Sequence, residues 1–327
     1  MVDGIVKKIV GGDVRVAARL IRDIDDGVPG TRPILKALYR HTGKAYVVGI
    51  TGAPGVGKST LADQMIHGLR GRGKTVGVLA VDPTSPFSGG AILGDRVRMQ
   101  RHSLDDGVFI RSLATRGQFG GLTESTRSAI DVLDAMGKDY VIVETVGVGQ
   151  DEVDIARSAH ATVVVVVPGM GDHIQAIKAG IFEVGDIFVI NKSDRPGAEK
   201  TMNDLRSMFD IARKRHKRQD WEPPILMTEA VNNKGILELL NEIEKYRKTG
   251  KALPHERTIL DKRTATRLEL IDMIKSRLVE EALARITDSP EFGDYVDCIT
   301  AGTIDPYSAC DAILAAKLNF MDAQNRE

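Results

Sequence analysis

Apolar positions in this chain recur with two periods, and the change from one to the other marks its organisation. Near the start, Val14, Ala17, Leu20, Ile21 and Ile24 follow one another at steps of three and four, the spacing of one helical face. Asp13 stands where such a helix takes its N-cap. Gly27, Pro29 and Gly30 interrupt it, and Pro33 suits the first turn of a second short helix through Ile34, Leu35 and Leu38. From Ala45 the pattern shifts to short, β-rich apolar runs: Tyr46–Thr51, Val76–Val81, Val108–Leu113, Tyr140–Glu144, Val163–Val167, Ile187–Ile190 and Ile225–Met227. These runs are apolar on both faces and alternate with helical stretches, which predicts a mostly parallel sheet covered on each side by helices. After Lys248–Gly250 the alternation stops. Thr258–Ile286 reads as one long amphipathic helix with Leu268, Ile271, Ile274, Leu278, Ala282 and Arg285/Ile286 on a stripe. A second C-terminal helix opens at Asp305 and Pro306 and carries Ala309, Ala312, Ile313 and Ala316. The expected plan is an N-terminal helical extension over 1–44, an α/β domain over 45–250 and a C-terminal helical arm over 251–327.

Composition narrows the function classes. Forty-five basic residues balance forty-five acidic ones, so the zero formal charge argues against a protein that coats nucleic acid or an anionic membrane. Two cysteines, Cys298 and Cys310, rule out a disulfide scaffold and fit a reducing compartment, where both are expected as buried small residues. The longest nearly unbroken apolar stretch, Ala161–Val167, is too short to cross a bilayer. Met1–Asp13 lacks an apolar run of signal-peptide length. A cytoplasmic protein without nucleic-acid or membrane partners is expected. The basic run Arg213–Arg218, on a helix with only Trp221 nearby as an aromatic, reads as a solvated face.

The chemistry concentrates at strand ends. Gly52-Ala53-Pro54-Gly55-Val56-Gly57-Lys58-Ser59-Thr60 fits G-x-x-x-x-G-K-[ST] between a strand and a helical stretch, Leu61–Leu69, the context a phosphate-binding loop requires. Its glycines let backbone N–H groups turn inward around phosphate oxygens. The helix that follows aims its positive end at the same oxygens. Lys58 supplies a point charge for the outer phosphates, and the Ser59 hydroxyl is a ligand for Mg²⁺.

Asn191-Lys192-Ser193-Asp194 follows the run Ile187–Ile190 and matches the N-K-x-D element of guanine-nucleotide sites. A carboxylate at Asp194 can accept from guanine N1–H and the 2-amino group, donors that adenine lacks at that edge. A site built around such an acceptor rejects a base that leaves it unpaired. The stem of Lys192 would lie along the base. Beyond the last strand run, Thr228-Glu229-Ala230, with Val231 after it, occupies the place of a third base-contacting loop.

Three carboxylates are candidates for the metal and the terminal phosphate. Glu144 ends a strand and opens Glu144-Thr-Val-Gly147-Val-Gly-Gln150, like a D-x-x-G switch with Glu in place of Asp, in which Gly147 can offer its N–H to phosphate. Position 148 is Val, where Ras-like proteins use a Gln to orient water, so slow intrinsic hydrolysis is expected. Asp82 ends the second strand run before Pro83, and Asp95 lies in a Gly-rich stretch, Gly89–Arg96. Turn formation at Asp82 and helix capping at Asp95 are the plainer readings of those two residues. The candidate catalytic set is therefore Lys58, Asp82, Asp95 and Glu144, and the candidate metal set is Ser59, Asp82, Asp95 and Glu144.

With these elements assembled, the chain resembles the MeaB/ArgK family of GTPases, the methylmalonyl-CoA-mutase-associated type. The resemblance covers nearly the whole chain and is carried by Gly49–Thr60, Val81–Met99, Arg111–Leu122, Glu144–Ala156 and the NKSD element, the second and third blocks being long and particular to that family. It implies a P-loop NTPase fold of the SIMIBI class, flanked by an N-terminal helical piece and a C-terminal arm that dimerises. It implies binding of GTP and GDP with Mg²⁺ and hydrolysis of GTP, with Ser59, Asp82, Asp95 and Glu144 around the metal and γ-phosphate. It also implies a chaperone that gates adenosylcobalamin delivery to, and protects or reactivates, a cobalamin-dependent acyl-CoA mutase. By the same resemblance Gly169–Lys178 is a mobile switch near the partner surface. One departure stands out: the third base loop is usually Ser-Ala in that family, and here it reads Thr228-Glu229-Ala230. Two rival functions remain. A GTP-dependent adaptor with negligible hydrolysis would share every nucleotide motif. A metallochaperone would need soft or imidazole ligands, whereas the switch stretches hold no cysteine and the seven histidines are scattered.

Overall fold

A computed structural model of the chain describes residues 2–82, 99–114, 124–145, 155, 158–169, 185–215, 222–249 and 262–323. It divides into two compact units, Met1–Ile259 and Leu260–Glu327. Asp95, Gly147 and all of Gly169–Lys178 except Gly169 itself lie outside the described residues, as does the end of the basic run from His216.

The first unit opens with three helices, α1 (Val2–Val10), α2 (Val14–Asp25) and α3 (Thr31–Leu38). Asp13 caps α2 as its position predicts, its Oδ1 accepting from the N–H groups of Arg15 and Val16 at 3.0 Å. The chain then alternates between strand and helix through β1 (Tyr46–Thr51), α4 (Lys58–Gly71), β2 (Val76–Asp82), β3 (Val108–Ala114), α5 (Glu124–Ala135), β4 (Tyr140–Glu144), β5 (Ala161–Val166), β6 (Ile187–Ile190), α6 (Ala198–Arg215), β7 (Ile225–Met227) and α7 (Ile236–Lys248).

All seven strands pair in parallel in the order β3-β2-β4-β1-β5-β6-β7. Side chains alternate across the pleat. Val48, Ile50, Val78, Ile142, Val163 and Val189 therefore meet α4 and α7 on one face. Val47, Leu79, Val81, Val141 and Val143 meet α5 and the N-terminal helices on the other. Val164, Val166, Phe188 and Ile190 form a third cluster with Ala198 and Leu205 of α6. This is why most of the strand runs are apolar on both faces rather than at every second position, while the edge strand β3 admits Arg111 and Ser112. Asp134, buried on α5, accepts from the backbone N–H groups of Gly43, Lys44 and Ala45 at 2.6–3.1 Å, and so fixes the entry into β1.

The second unit holds α8 (Lys262–Thr287), α9 (Pro290–Thr300) and α10 (Pro306–Ala323). The first and last are the two helices expected of the arm, and Asp305 caps α10 through bonds from Tyr307 and Ser308 N–H at 3.0 and 2.9 Å. The intervening α9 is an element the periodicity reading passed over, although Ser289 and Pro290 form an ordinary helix start. On α8, Leu270, Met273, Ile274, Leu278, Val279 and Leu283 are all exposed. One expectation is corrected here: Cys298 and Cys310 are exposed, not buried. They sit on α9 and α10, whose described residues are mostly exposed, so a small apolar side chain there meets solvent. Among the described residues no helix is long and apolar enough to cross a membrane.

Candidate functional site

Open parallel sheets bind ligands beyond the carboxyl ends of their strands, where the strand order reverses. Here β4 and β5 flank β1, and the chain builds outward from this point in both directions. The register places Glu144 beside Ile50 of β1 and Ala80 of β2, so β1 and β4 end level at the same edge. Asp82 lies two residues further along β2, opposite Ala114 of β3.

The loop after β1 is shaped by its glycines. Gly52 has φ +139°, and a Cβ there would stand 2.2 Å from the Val165 carbonyl oxygen on β5. Gly57 has φ +94°, and a Cβ there would stand 2.5 Å from the Asn191 amide nitrogen. Neither position accepts a side chain, so the loop can lie against β5 and the Asn191 loop only because both residues are glycine. Val56 turns inward and is buried in the core, Pro54 and Gly55 are exposed, and Ala53 packs at the margin of the core. Lys58, the first residue of α4, is buried, and its Nζ donates to the carbonyl oxygens of Gly52 and Ala53 at 2.7 and 3.1 Å. Ser59 Oγ donates to Glu144 Oε1 at 2.6 Å, and both side chains are buried. The loop's hydroxyl and the strand-end carboxylate, 85 residues apart in the chain, thus meet directly.

The second wall of the cleft is the turn after β6. Asn191 is buried and joins three segments. Its Nδ2 donates to the Val56 carbonyl at 2.9 Å, and its Oδ1 accepts from Thr228 Oγ1 at 3.2 Å and from Ala230 N–H at 3.1 Å. Lys192 adopts φ +56° and reaches back to the Gly55 carbonyl at 2.7 Å. Asp194 is exposed at the mouth. Gly57, Thr60, Asn191, Lys192, Asp194, Arg195 and residues 229–232 line one cleft of about 240 Å³. The phosphate-type loop and the N-K-x-D turn, read separately in the sequence, therefore form a single site.

The third base-loop segment is held by its own internal pairing. Glu229 Oε2 receives Lys234 Nζ at 2.9 Å and Asn232 Nδ2 at 3.1 Å, and Glu229 and Lys234 also pair as an antiparallel bridge. Those two donors hold the Glu229 carboxyl below its ordinary range. Ala230 N–H is taken by Asn191, while the Val231 side chain is 79% exposed at the cleft wall. The Glu229 side chain thus closes the loop on itself. The motif resemblance could not reveal this, because Lys234 lies outside every motif.

Asp63, Arg101 and His102 form a polar cluster that sequence reasoning missed. Asp63 and His102 are buried, and Arg101 bonds the Asp63 carboxylate through both Nε and Nη2. Nothing in the spacing of these residues announces the pairing, since 38 positions separate Asp63 from Arg101.

Among known proteins, the family described as Methylmalonyl Co-A mutase-associated GTPase MeaB matches residues 18–287. A Pyrococcus abyssi protein, provisionally named a GTPase, is 47% identical over 314 residues that cover 96% of each chain. The mouse protein named methylmalonic aciduria type A homolog, mitochondrial, is 31% identical over 282 residues, covering 85% of this chain and 67% of its own. The crystal structure of a protein titled LAO/AO transport system kinase superposes with a TM-score of 0.65, covering 95% of this chain and 96% of that one. At 24% identity that likeness establishes the P-loop fold and nothing about substrate. The parallel sheet, the glycine-shaped loop joined to the N-K-x-D turn, and these relatives agree: the chain is a GTPase and belongs to the MeaB family of methylmalonyl Co-A mutase-associated GTPases.

Proposed function

We propose that the cleft at the carboxyl edge of the sheet holds GTP with Mg²⁺, and that hydrolysis resets a conformation felt by a cobalamin-dependent acyl-CoA mutase. In this reading, backbone N–H groups of Gly52–Thr60 and the Lys58 ammonium grip the phosphates. Asp194 reads the guanine edge, Lys192 lies along the base, and Ala230 and Val231 border it. The donor set suits Mg²⁺: a buried hydroxyl and a buried carboxylate, Ser59 and Glu144, meet at 2.6 Å, and hard oxygen donors are what this ion takes. Asp82, at the end of β2, and Asp95 complete the proposed set. When bound, the ion would neutralise charge developing on the phosphates.

The observation that carries the reading is the Asn191 junction. One amide ties the phosphate loop at Val56 to the base loop at Ala230, which supports reading the two loops as parts of one nucleotide site. The family's description and the name of the mouse relative point to methylmalonyl-CoA metabolism, which supports a mutase as partner. The exposed apolar residues of α8 support a homodimer formed through the arm. The test is phosphate release from GTP with and without a cobalamin-dependent mutase. Slow release alone and a rise with the mutase are expected. Nucleotide binding with no rise would favour an adaptor, and equal uptake of ATP and GTP by calorimetry would overturn the base assignment.

A further inference from the structure

Helix α4 carries Lys58 and Ser59 in its first turn. Asp63 is four residues after Ser59, hence one turn behind it on the same helical face. Its carboxylate is 12% exposed and takes the forked guanidinium of Arg101, Nε to Oδ1 at 3.0 Å and Nη2 to Oδ2 at 2.8 Å. The same Nη2 reaches the Asp63 carbonyl at 2.8 Å and Gln64 Oε1 at 3.2 Å. His102 Nε2 lies 3.1 Å from Asp63 Oδ1 and 3.2 Å from the Asp63 carbonyl. Met99, fully buried, packs in the same apolar cluster as Leu61, Ala62 and Met65 of α4. The turn 99–102 is therefore fastened to the phosphate helix twice, by an apolar plug and by a two-pronged ion pair. A planar fork on a carboxylate fixes orientation as well as distance.

In the chain, this turn follows directly on residues 83–98, which separate Asp82 at the end of β2 from Met99, and Asp95 stands four residues before Met99. We infer that Asp63 and Arg101 are positioning residues for GTP hydrolysis: the clamp fixes the turn 99–102 on the helix that carries Ser59. The inference rests on the proposed role of Ser59. A carboxylate on a helix and a guanidinium on a turn would hold the fold together just as well at the far edge of the sheet. Here they lie one turn behind the metal-candidate hydroxyl. Displacements of about 1 Å in a reacting arrangement cost on the order of 100-fold in rate, so a loosened clamp should act on turnover rather than on nucleotide grip.

The experiment uses the full-length chain with GTP and Mg²⁺. Single-turnover hydrolysis and GDP affinity are measured for wild type, Arg101→Ala, Asp63→Asn, the double variant and Arg101→Lys. Turnover should fall about tenfold in each of the first two variants, with GDP affinity within about twofold of wild type. The double variant should be no slower than the slower single, because one clamp is broken once. Arg101→Lys, which keeps the charge and loses the fork, should recover part of the rate. Unchanged turnover in Arg101→Ala, GDP affinity falling in step with turnover, or fully multiplicative effects would each overturn the inference. If Arg101→Ala fails to fold, Arg101→Gln is read by the same criteria. A failure of the guanine-site reading would look different: wild type itself would not prefer GTP to ATP.

Discussion

Replacing Asn191 by Ala removes one side chain and three contacts in the same stroke. The amide donates to Val56 and accepts from Thr228 and Ala230, at 2.9, 3.2 and 3.1 Å. Val56, Thr228 and Ala230 are 1%, 1% and 2% exposed, so none of the three partners reaches water without rearrangement. A neutral hydrogen bond contributes about 1 kcal/mol net, and a buried orphan costs about 1–3 kcal/mol. The three together come to roughly 3–9 kcal/mol, enough to free the phosphate loop from the base loop. GDP affinity should fall by about 100-fold or more, since 1.4 kcal/mol is tenfold. Gly57 supplies the cross-check. A Cβ there would lie 2.5 Å from the Asn191 amide nitrogen, in a backbone at φ +94°. Gly57→Ala therefore carries a clash and about 1–2 kcal/mol of left-handed strain. In an Asn191→Ala background the clash disappears and the strain stays, so the double variant must bind better than the two single losses multiplied. Fluorescent GDP titrations on the four proteins, with melting curves to confirm folding, make the comparison. GDP affinity within twofold of wild type in Asn191→Ala, or strictly multiplicative losses, would refute the idea that this amide joins the two loops.

Three further outcomes are expected. Asp194→Asn should weaken GTP by roughly 10- to 100-fold, the worth of a charge-assisted pair, and leave ATP untouched; GTP affinity equal to wild type by calorimetry would reassign the base contact. Gly107→Ala would put a Cβ 2.1 Å from the Arg70 guanidinium carbon and push it off Asp105, which it grips at 2.8 Å through two nitrogens. That pair is about a third exposed, so the loss should be only roughly 0.5–1 kcal/mol. Arg70 holds the Asp105 carboxyl below its ordinary 3.8, so the pair's stabilisation is complete above that value and fades as pH falls through the lowered one. Melting curves should therefore separate wild type from Gly107→Ala at neutral pH and draw together in acid, below the ordinary carboxylate range; a gap that widened in acid would contradict the assignment. Finally, sedimentation across a concentration series should show a dimer, and a persistent 35.6 kDa species would defeat the proposed role of the arm.

The positions of the strands were legible in the sequence because a strand buried on both faces is largely apolar, and the seven β-rich runs coincide with the seven strands to within a residue or two at their ends, including the less buried edge strands β3 and β7. The P-loop was legible for a similar local reason. Gly52 and Gly57 need backbone conformations, and a closeness of approach, that other residues refuse. Asp13 and Asp305 announced their helices because an N-cap acts on the two or three residues that follow it. Helix α9 escaped because Gly293 and the acidic Asp294 and Asp297 blur its apolar period, and the start signal at Ser289–Pro290 was passed over. The exposure of Cys298 and Cys310 escaped because burial depends on what packs over a residue, and residue type sets only a tendency.

What the sequence determined by itself is thus everything that acts over a few neighbouring residues: strand and helix periods, caps, and a loop of glycines followed by a lysine and a serine. Tertiary structure decided which distant groups share a site. Ser59 meets Glu144, Asn191 ties Val56 to Ala230, Glu229 at the cleft wall pairs with Lys234, and Arg101 locks onto Asp63. Those pairings depend on strand order, in which β1 lies between β4 and β5, and on helices from distant parts of the chain covering the apolar faces of the sheet together. No stretch of a few residues carries that requirement, since it is met by the closure of the whole core.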